Sequence, residues 1–106
     1  TMLNIVIVGG GASGVEIAGA MAEMRRYIVP KDYPGVDIAL MHIYLIEGRD
    51  RLLANMSSKT SAGCLQVLKE KGVEVLLGIS VTDYRDNQVY CSDVSFELPI
   101  SFGPAV

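Results

Sequence analysis

The chain opens on a short, uninterrupted apolar run, Asn4-Ile-Val-Ile-Val8, rich in β-branched residues. Such runs belong to buried parallel strands, which are covered on both faces. A glycine cluster follows at once, Gly9-Gly-Gly-Ala-Ser-Gly14. After Gly14 the period changes. Ile17, Met21, Met24 and Ile28 fall on one helical stripe, and Val15, Ala18, Gly19 and Ala22 form a second stripe of small residues. The small stripe would let a helix lie close to a sheet. Pro30 disfavours helical geometry at Val29, so the helix is expected to stop near there, and Lys31 to Val36 reads as a loop turned at Pro34-Gly35.

His42-Ile-Tyr-Leu-Ile-Glu47 is a second apolar strand. A polar connection leads to a second helix with Ser57 as its N-cap and Ala62, Leu65 and Leu68 as its buried stripe. Lys69 and Lys71 suit its last turn and Gly72 its C-cap, while Gly63 inside it costs about 1 kcal/mol relative to alanine. Val73-Glu-Val-Leu-Leu77 is the third strand. Alternation of strand and helix implies right-handed crossovers and a parallel sheet. Val81 to Tyr84 and Gln88 to Ser92 then read as a β-hairpin around Arg85-Asp-Asn87. One more strand is expected at Ser95 to Leu98, with Pro99 and Pro104 against anything long after it.

Composition narrows the picture. The 106 residues suffice for one small domain, and half of them are hydrophobic. A net charge of −3 and a pI near 5.0 leave no basic surface for nucleic acid. No run of about 18 apolar residues encodes a membrane span, and no signal peptide precedes the first strand. Cys64 and Cys91 form neither a CxxC pair nor a metal cluster, so they read as reduced, partly buried thiols in a cytoplasmic protein. His42 stands alone and reads as structural.

The chemistry gathers at the glycines. Gly9, Gly11 and Gly14 match G-x-G-x-x-G between a strand and a helix, with Gly10, Ala12 and Ser13 completing the loop. The first glycine permits the tight turn, the second admits a pyrophosphate to the backbone, and the third lets helix and strand pack closely. Phosphates would then sit on the free N–H groups at the positive end of the helix dipole. No lysine follows the loop, which excludes a P-loop triphosphate site. Glu47, at the end of the second strand, could accept hydrogen bonds from adenosine ribose hydroxyls and would repel a 2′-phosphate, favouring NAD over NADP. It lies 33 residues beyond Gly14, against the roughly 20 usual, and a longer helix end plus the Pro34-Gly35 loop would fill the surplus. Gly48 and Arg49 follow it directly. Arg49 and Arg51 read first as solvated loop charges, with a phosphate contact as the alternative. Glu16, in the first helical turn, either complements the helix dipole or meets the far end of a dinucleotide.

The run Ile5-Val-Ile-Val-Gly-Gly-Gly-Ala-Ser-Gly-Val-Glu-Ile-Ala-Gly-Ala-Met-Ala-Glu23 resembles the second dinucleotide-binding motif of two-domain flavoproteins of the pyridine nucleotide-disulfide oxidoreductase superfamily. Arg25-Arg-Tyr-Ile-Val-Pro-Lys-Asp-Tyr-Pro34 resembles the insertion of type II NADH dehydrogenases. So do Ile43-Tyr-Leu-Ile-Glu-Gly-Arg-Asp-Arg-Leu-Leu53 with Met56-Ser57, and Gly72-Val-Glu-Val-Leu-Leu77. The resemblance covers roughly residues 3 to 92 and implies an α/β fold: a Rossmann-like parallel sheet flanked by helices, with a small antiparallel β-meander. It implies that Gly11, Ala12, Ser13 and Gly14 meet the pyrophosphate of NAD(H), and that Glu47 binds the adenosine ribose. Val81 would lie near the adenine, and Glu16 near the nicotinamide and flavin. It further implies a parent enzyme that passes hydride from NADH to FAD and electrons on to a quinone at a membrane surface.

The flavin-binding domain, quinone site and membrane anchor of that family are absent from these residues. Residues 1–106 therefore read as a single NAD(H)-binding domain, a fragment inactive alone, whose partners are NADH and the missing FAD-binding domain. Its exposed apolar surface would drive self-association. Pro99 to Val106 matches the family poorly, so the last strand of the sheet is expected to be missing or displaced. Two other readings stay open: an FAD-binding Rossmann domain, and a non-catalytic interaction module that keeps the fold.

Overall fold

The computed structural model describes residues 3–35, 37–38, 41–85, 88–93 and 100–102. Strand β1 (Leu3–Val8) leads into helix α1 (Ala12–Glu23), a turn of π-helix (Met24–Ile28) and the short helix α2 (Val29–Asp32). Strand β2 (Met41–Glu47), helix α3 (Ser58–Glu70) and strand β3 (Glu74–Leu77) follow. The chain ends in β4 (Ile79–Arg85), β5 (Gln88–Asp93) and β6 (Ile100–Phe102). The first three strands form a parallel sheet in the order β1-β2-β3, and the last three an antiparallel meander, β4-β5-β6.

Alternation along the strands builds two cores. Ile5, Ile7, Ile43 and Leu45 face α1 and α3, where Ala18, Ala22 and Leu68 close one core. Val6 and Ile46 point to the other face and meet Val89 and Cys91 of the meander. The sheet is thus covered on both sides, which is why β1 and β2 are apolar at every second position in both phases.

Helix α1 settles the sheet through its small residues. Ala18 and Ala22 are buried, with Val15 and Met21 beside them. The larger stripe does not face the core as a stripe should: Ile17, Met24 and Ile28 remain 45%, 37% and 49% exposed. Close approach of the alanines to the strands turns the bulkier side chains outward.

The helix also runs on past Val29, to Asp32. The N–H of Val29 bonds to the Met24 carbonyl, five residues back, which widens the turn ahead of Pro30. Pro30 then follows in the first turn of α2, where its fixed φ suits the helix. Arg25 pins this segment, donating from its guanidinium to the carbonyls of Met41, Lys71 and Gly72.

Helix α3 is capped as its sequence directs. Ser57 Oγ accepts from the Thr60 N–H at 3.1 Å. At the other end Gly72 has φ +84°, its N–H bonds to Lys69 and that of Val73 to Leu68, which is a Schellman motif. The buried stripe is Ser61, Cys64, Leu65 and Leu68, spaced for one helix face; Ala62 lies 100° from Ser61 and is exposed. Ser57→Ala is expected to cost about 1 kcal/mol of stability, measured by urea denaturation.

The expected strand at Ser95 to Leu98 lies outside the described residues. The tail does add a strand, β6, but it pairs with β5 in the meander and not with the parallel sheet. Among the described residues, no helix is long and apolar enough to cross a membrane.

Candidate functional site

The glycine loop joins β1 to α1 at the carboxyl end of the sheet. Gly9 has φ +105°, a left-handed conformation suited to glycine, and donates to the Ile46 carbonyl at 2.8 Å. Gly10 is buried: a Cβ there would lie 2.7 Å from Leu52 Cδ2 and 3.1 Å from Glu47 Cβ and Cγ. Gly14 sits on the Gly9 carbonyl, and a Cβ would overlap its oxygen. Gly11 differs, since a Cβ there would meet nothing within 4 Å. Packing therefore demands glycine at 10 and 14, and backbone conformation demands it at 9, whereas at 11 the space is open.

Gly11 is the N-cap of α1 and has no side chain to cap it. The first intrahelical donor is Val15, whose N–H bonds to the Gly11 carbonyl at 3.0 Å. The N–H groups of Ala12, Ser13 and Gly14 come before it, at the positive end of the helix. Ala12 and Ser13 are exposed. This arrangement can hold an anion on main-chain donors.

Glu47 closes the site from β2. One carboxylate oxygen accepts from the Gly10 N–H and the other from the Arg49 N–H, each at 2.8 Å. The Arg49 bond is the main cause holding this carboxyl below its ordinary value of 4.5; partial burial opposes it, and Gly10, the Arg49 charge and Gly48 add to it. A carboxylate has about four acceptor positions, so two main-chain bonds leave room for hydroxyl donors.

The sign of the resulting pH dependence is fixed. A depressed folded pKa adds stability above the unfolded value, and that stability is lost as pH falls through the folded one. Between pH 5.5 and pH 3.5 the wild-type chain should lose more stability than Glu47→Gln, as read from urea midpoints at each pH. Parallel losses would contradict the assignment.

The β2–α3 connection wraps back over the loop. The Leu53 N–H donates to the Gly10 carbonyl at 2.9 Å, and Met56 donates to the Leu53 carbonyl at 2.8 Å. Leu53 has φ +49°, at a cost of about 1–2 kcal/mol for a non-glycine residue. Leu52 is 1% exposed. Arg51 is not a solvated loop charge: its guanidinium donates to Ser58 Oγ and to the carbonyls of Ala54 and Met56. Arg49 keeps an exposed side chain, and its carbonyl accepts from Gly78 at 2.8 Å.

Most of the expected residues converge here: Gly9 to Gly14 on one side, Glu47, Gly48 and Arg49 on the other. Val81 is half-buried against the meander core, and the contact with Gly48 is made from Ser80, whose Oγ would lie 3.2 Å from a Cβ there. Glu16 is exposed on the second turn of α1, not the first, because the helix begins at Ala12. Leu52 and Leu53 were not singled out from sequence. They close the run Ile43 to Leu53 that carries the family resemblance, and they are an apolar pair inside a polar connection, but neither signal assigns them a place in the site.

Other polar residues fall outside the site. His42 stacks on Tyr44, with ring centroids 6.2 Å apart. Cys64 and Cys91 are free, and burial pushes both thiols up. The described residues contain no His/Cys/Asp/Glu group fit for a metal.

A family model described as pyridine nucleotide-disulphide oxidoreductase matches residues 2–99. The type II NADH:quinone oxidoreductase of Haemophilus influenzae is 33% identical over 91 residues, covering 86% of this chain and 20% of that protein. An external alternative NAD(P)H-ubiquinone oxidoreductase B1 of Solanum tuberosum mitochondria is 36% identical over 90 residues, 82% of this chain and 15% of that one. Among solved structures, NDH2 from Plasmodium falciparum in complex with NADH superposes with a TM-score of 0.88 at 23% identity, over 98% of this chain and 22% of that one. That likeness establishes the Rossmann-like fold. The chain spans about a fifth of the length of the first of these curated relatives.

Proposed function

The chain belongs to the pyridine nucleotide-disulphide oxidoreductase family, and from that membership we propose that it is the NAD(H)-binding portion of a longer FAD-dependent NADH oxidoreductase. The observation that carries this reading is the pairing of an uncapped helix start, open at Gly11, with the Glu47 carboxylate anchored beside it. The first offers main-chain donors to a pyrophosphate and the second offers acceptors to a ribose, the two polar parts of an adenine dinucleotide. The residues present fit that group.

In this reading the N–H groups of Ala12, Ser13 and Gly14 bind the pyrophosphate, and Gly11 admits it by lacking a side chain. Glu47 accepts from the ribose hydroxyls and repels a 2′-phosphate. Gly48 and Arg49 border the ribose, and the start of β4, with Val81, borders the adenine. Glu16 lies one turn along α1, toward the nicotinamide end. The dinucleotide, when bound, supplies the hydride, and the protein's part is to orient it.

In this proposal the first acceptor in the whole protein is FAD; the names of the relatives, NADH:quinone and NAD(P)H-ubiquinone oxidoreductases, support a quinone as the final one. This part alone binds without turnover. The outward Ile17, Met24 and Ile28 suit contact with the FAD-binding domain, and without it they favour self-association.

Displacement tests the reading. NADH fluorescence should change on binding to the chain, and ADP-ribose, which retains adenosine and pyrophosphate, should reverse the change. Failure of ADP-ribose to compete would sink it, and displacement by FAD at lower concentration would favour an FAD site.

A further inference from the structure

We propose that the β2–α3 connection is the clamp that sets the glycine loop in its binding shape, with Arg51, Leu52 and Leu53 as positioning residues; this rests on the dinucleotide reading above. Gly10 is the residue through which the clamp acts. Its N–H is taken by Glu47 and its carbonyl by the Leu53 N–H, so both of its main-chain polar groups are held from residues 47–53. Leu52 occupies the space where a side chain on residue 10 would go. Gly10 is accordingly buried, between a half-buried Gly9 and an exposed Gly11.

The clamp is itself braced. A leucine in the left-handed region persists only where its surroundings over-determine it. Leu53 is bonded on both sides, to Gly10 by its N–H and to Met56 by its carbonyl. The Arg51 guanidinium ties Ala54, Met56 and the first residue of α3, Ser58, into one knot. A continuous set of bonds therefore runs from the start of α3 through Leu53 to Gly10, one residue short of the N-cap of α1. It fixes the distance between the ribose acceptor and the pyrophosphate donors before a ligand arrives. Fixing it beforehand lowers the ordering cost of binding.

A connection that merely covers the core would show the same burial of Leu52, so the test separates folding from binding. Amide exchange at Gly10 and Leu53 is followed by NMR, and NADH affinity by fluorescence, in the whole chain and two variants. Leu52→Ala risks the fold as well as the clamp. Arg51→Gln removes the brace alone, since the Arg51 guanidinium bonds to Ser58, Ala54 and Met56, none of them in the proposed ligand site.

In the wild-type chain both amides should exchange slowly. In Arg51→Gln they should speed up together while the NADH dissociation constant rises about tenfold, with far-UV circular dichroism unchanged. Faster exchange with unchanged affinity would overturn the proposal. So would fast exchange of either amide in the wild-type chain. A wild-type chain that binds no dinucleotide would defeat the proposed function instead. The slow pair of amides, accelerated by Arg51→Gln, would then still support the clamp.

Discussion

Gly14→Ala should remove dinucleotide binding by removing the fold of the loop. The new Cβ would overlap the Gly9 carbonyl oxygen, and neither partner can step aside. Gly9 is tied to Ile46 of the central strand, and α1 is seated on the sheet through Ala18 and Ala22. Overpacking against side chains costs about 1–3 kcal/mol, and here the obstacle is backbone, so a loss of at least about 3 kcal/mol is expected. A domain of this size has only about 5–15 kcal/mol in hand.

Urea denaturation would show this as a midpoint far below that of the wild-type chain. Gly11→Ala is the matching control. Nothing stands within 4 Å of its Cβ, so the midpoint should fall only by the cost of a poorer N-cap, under about 1 kcal/mol, while NADH affinity falls. Equal midpoints for Gly14→Ala and Gly11→Ala would contradict this account of the loop.

Glu47→Ala has the second largest expected effect, and it falls on binding. The substitution leaves the part-buried Gly10 N–H without its acceptor, at about 1–3 kcal/mol. It also frees the Arg49 N–H and removes the proposed ribose acceptor. Hydrogen bonds to a charged group contribute about 1.5–3 kcal/mol, so NADH affinity should fall by roughly 10- to 100-fold. NADPH, spared the repulsion of its 2′-phosphate, should lose less, so that discrimination between the two narrows. Glu47→Gln keeps one acceptor oxygen and should fall between. Isothermal titration with both nucleotides checks the pair of effects. If neither affinity nor discrimination moves, Glu47 is only a structural staple.

The parts of the fold that were legible in advance are those set by local chemistry. The strands β1 to β3 announced themselves as apolar runs, the caps of α3 as Ser57 and Gly72, and the glycine loop as a spaced motif between strand and helix. What escaped was decided by tertiary packing. The stripe of Ile17, Met24 and Ile28 has helical spacing, yet the alanines win the sheet because only they permit close approach. Pro30 breaks an α-helix by its missing N–H, but a π turn ahead of it let the chain stay helical.

The site divides in the same way. Gly9, Gly11, Gly14 and Glu47 were readable because each has a chemical reason to be the residue it is. Arg51 and Leu53 were not, because their roles lie in bonds to main-chain atoms that no side-chain pattern reports.

The central claim is that this chain holds NAD(H) between the start of α1 and Glu47. Calorimetric titration of the purified chain with NADH, with NADPH and FAD as parallel titrants, tests it most directly. The account predicts saturable NADH binding at one site, tighter than either of the other two. Tighter binding of FAD, or no binding of any dinucleotide by a chain whose circular dichroism shows it folded, would contradict it.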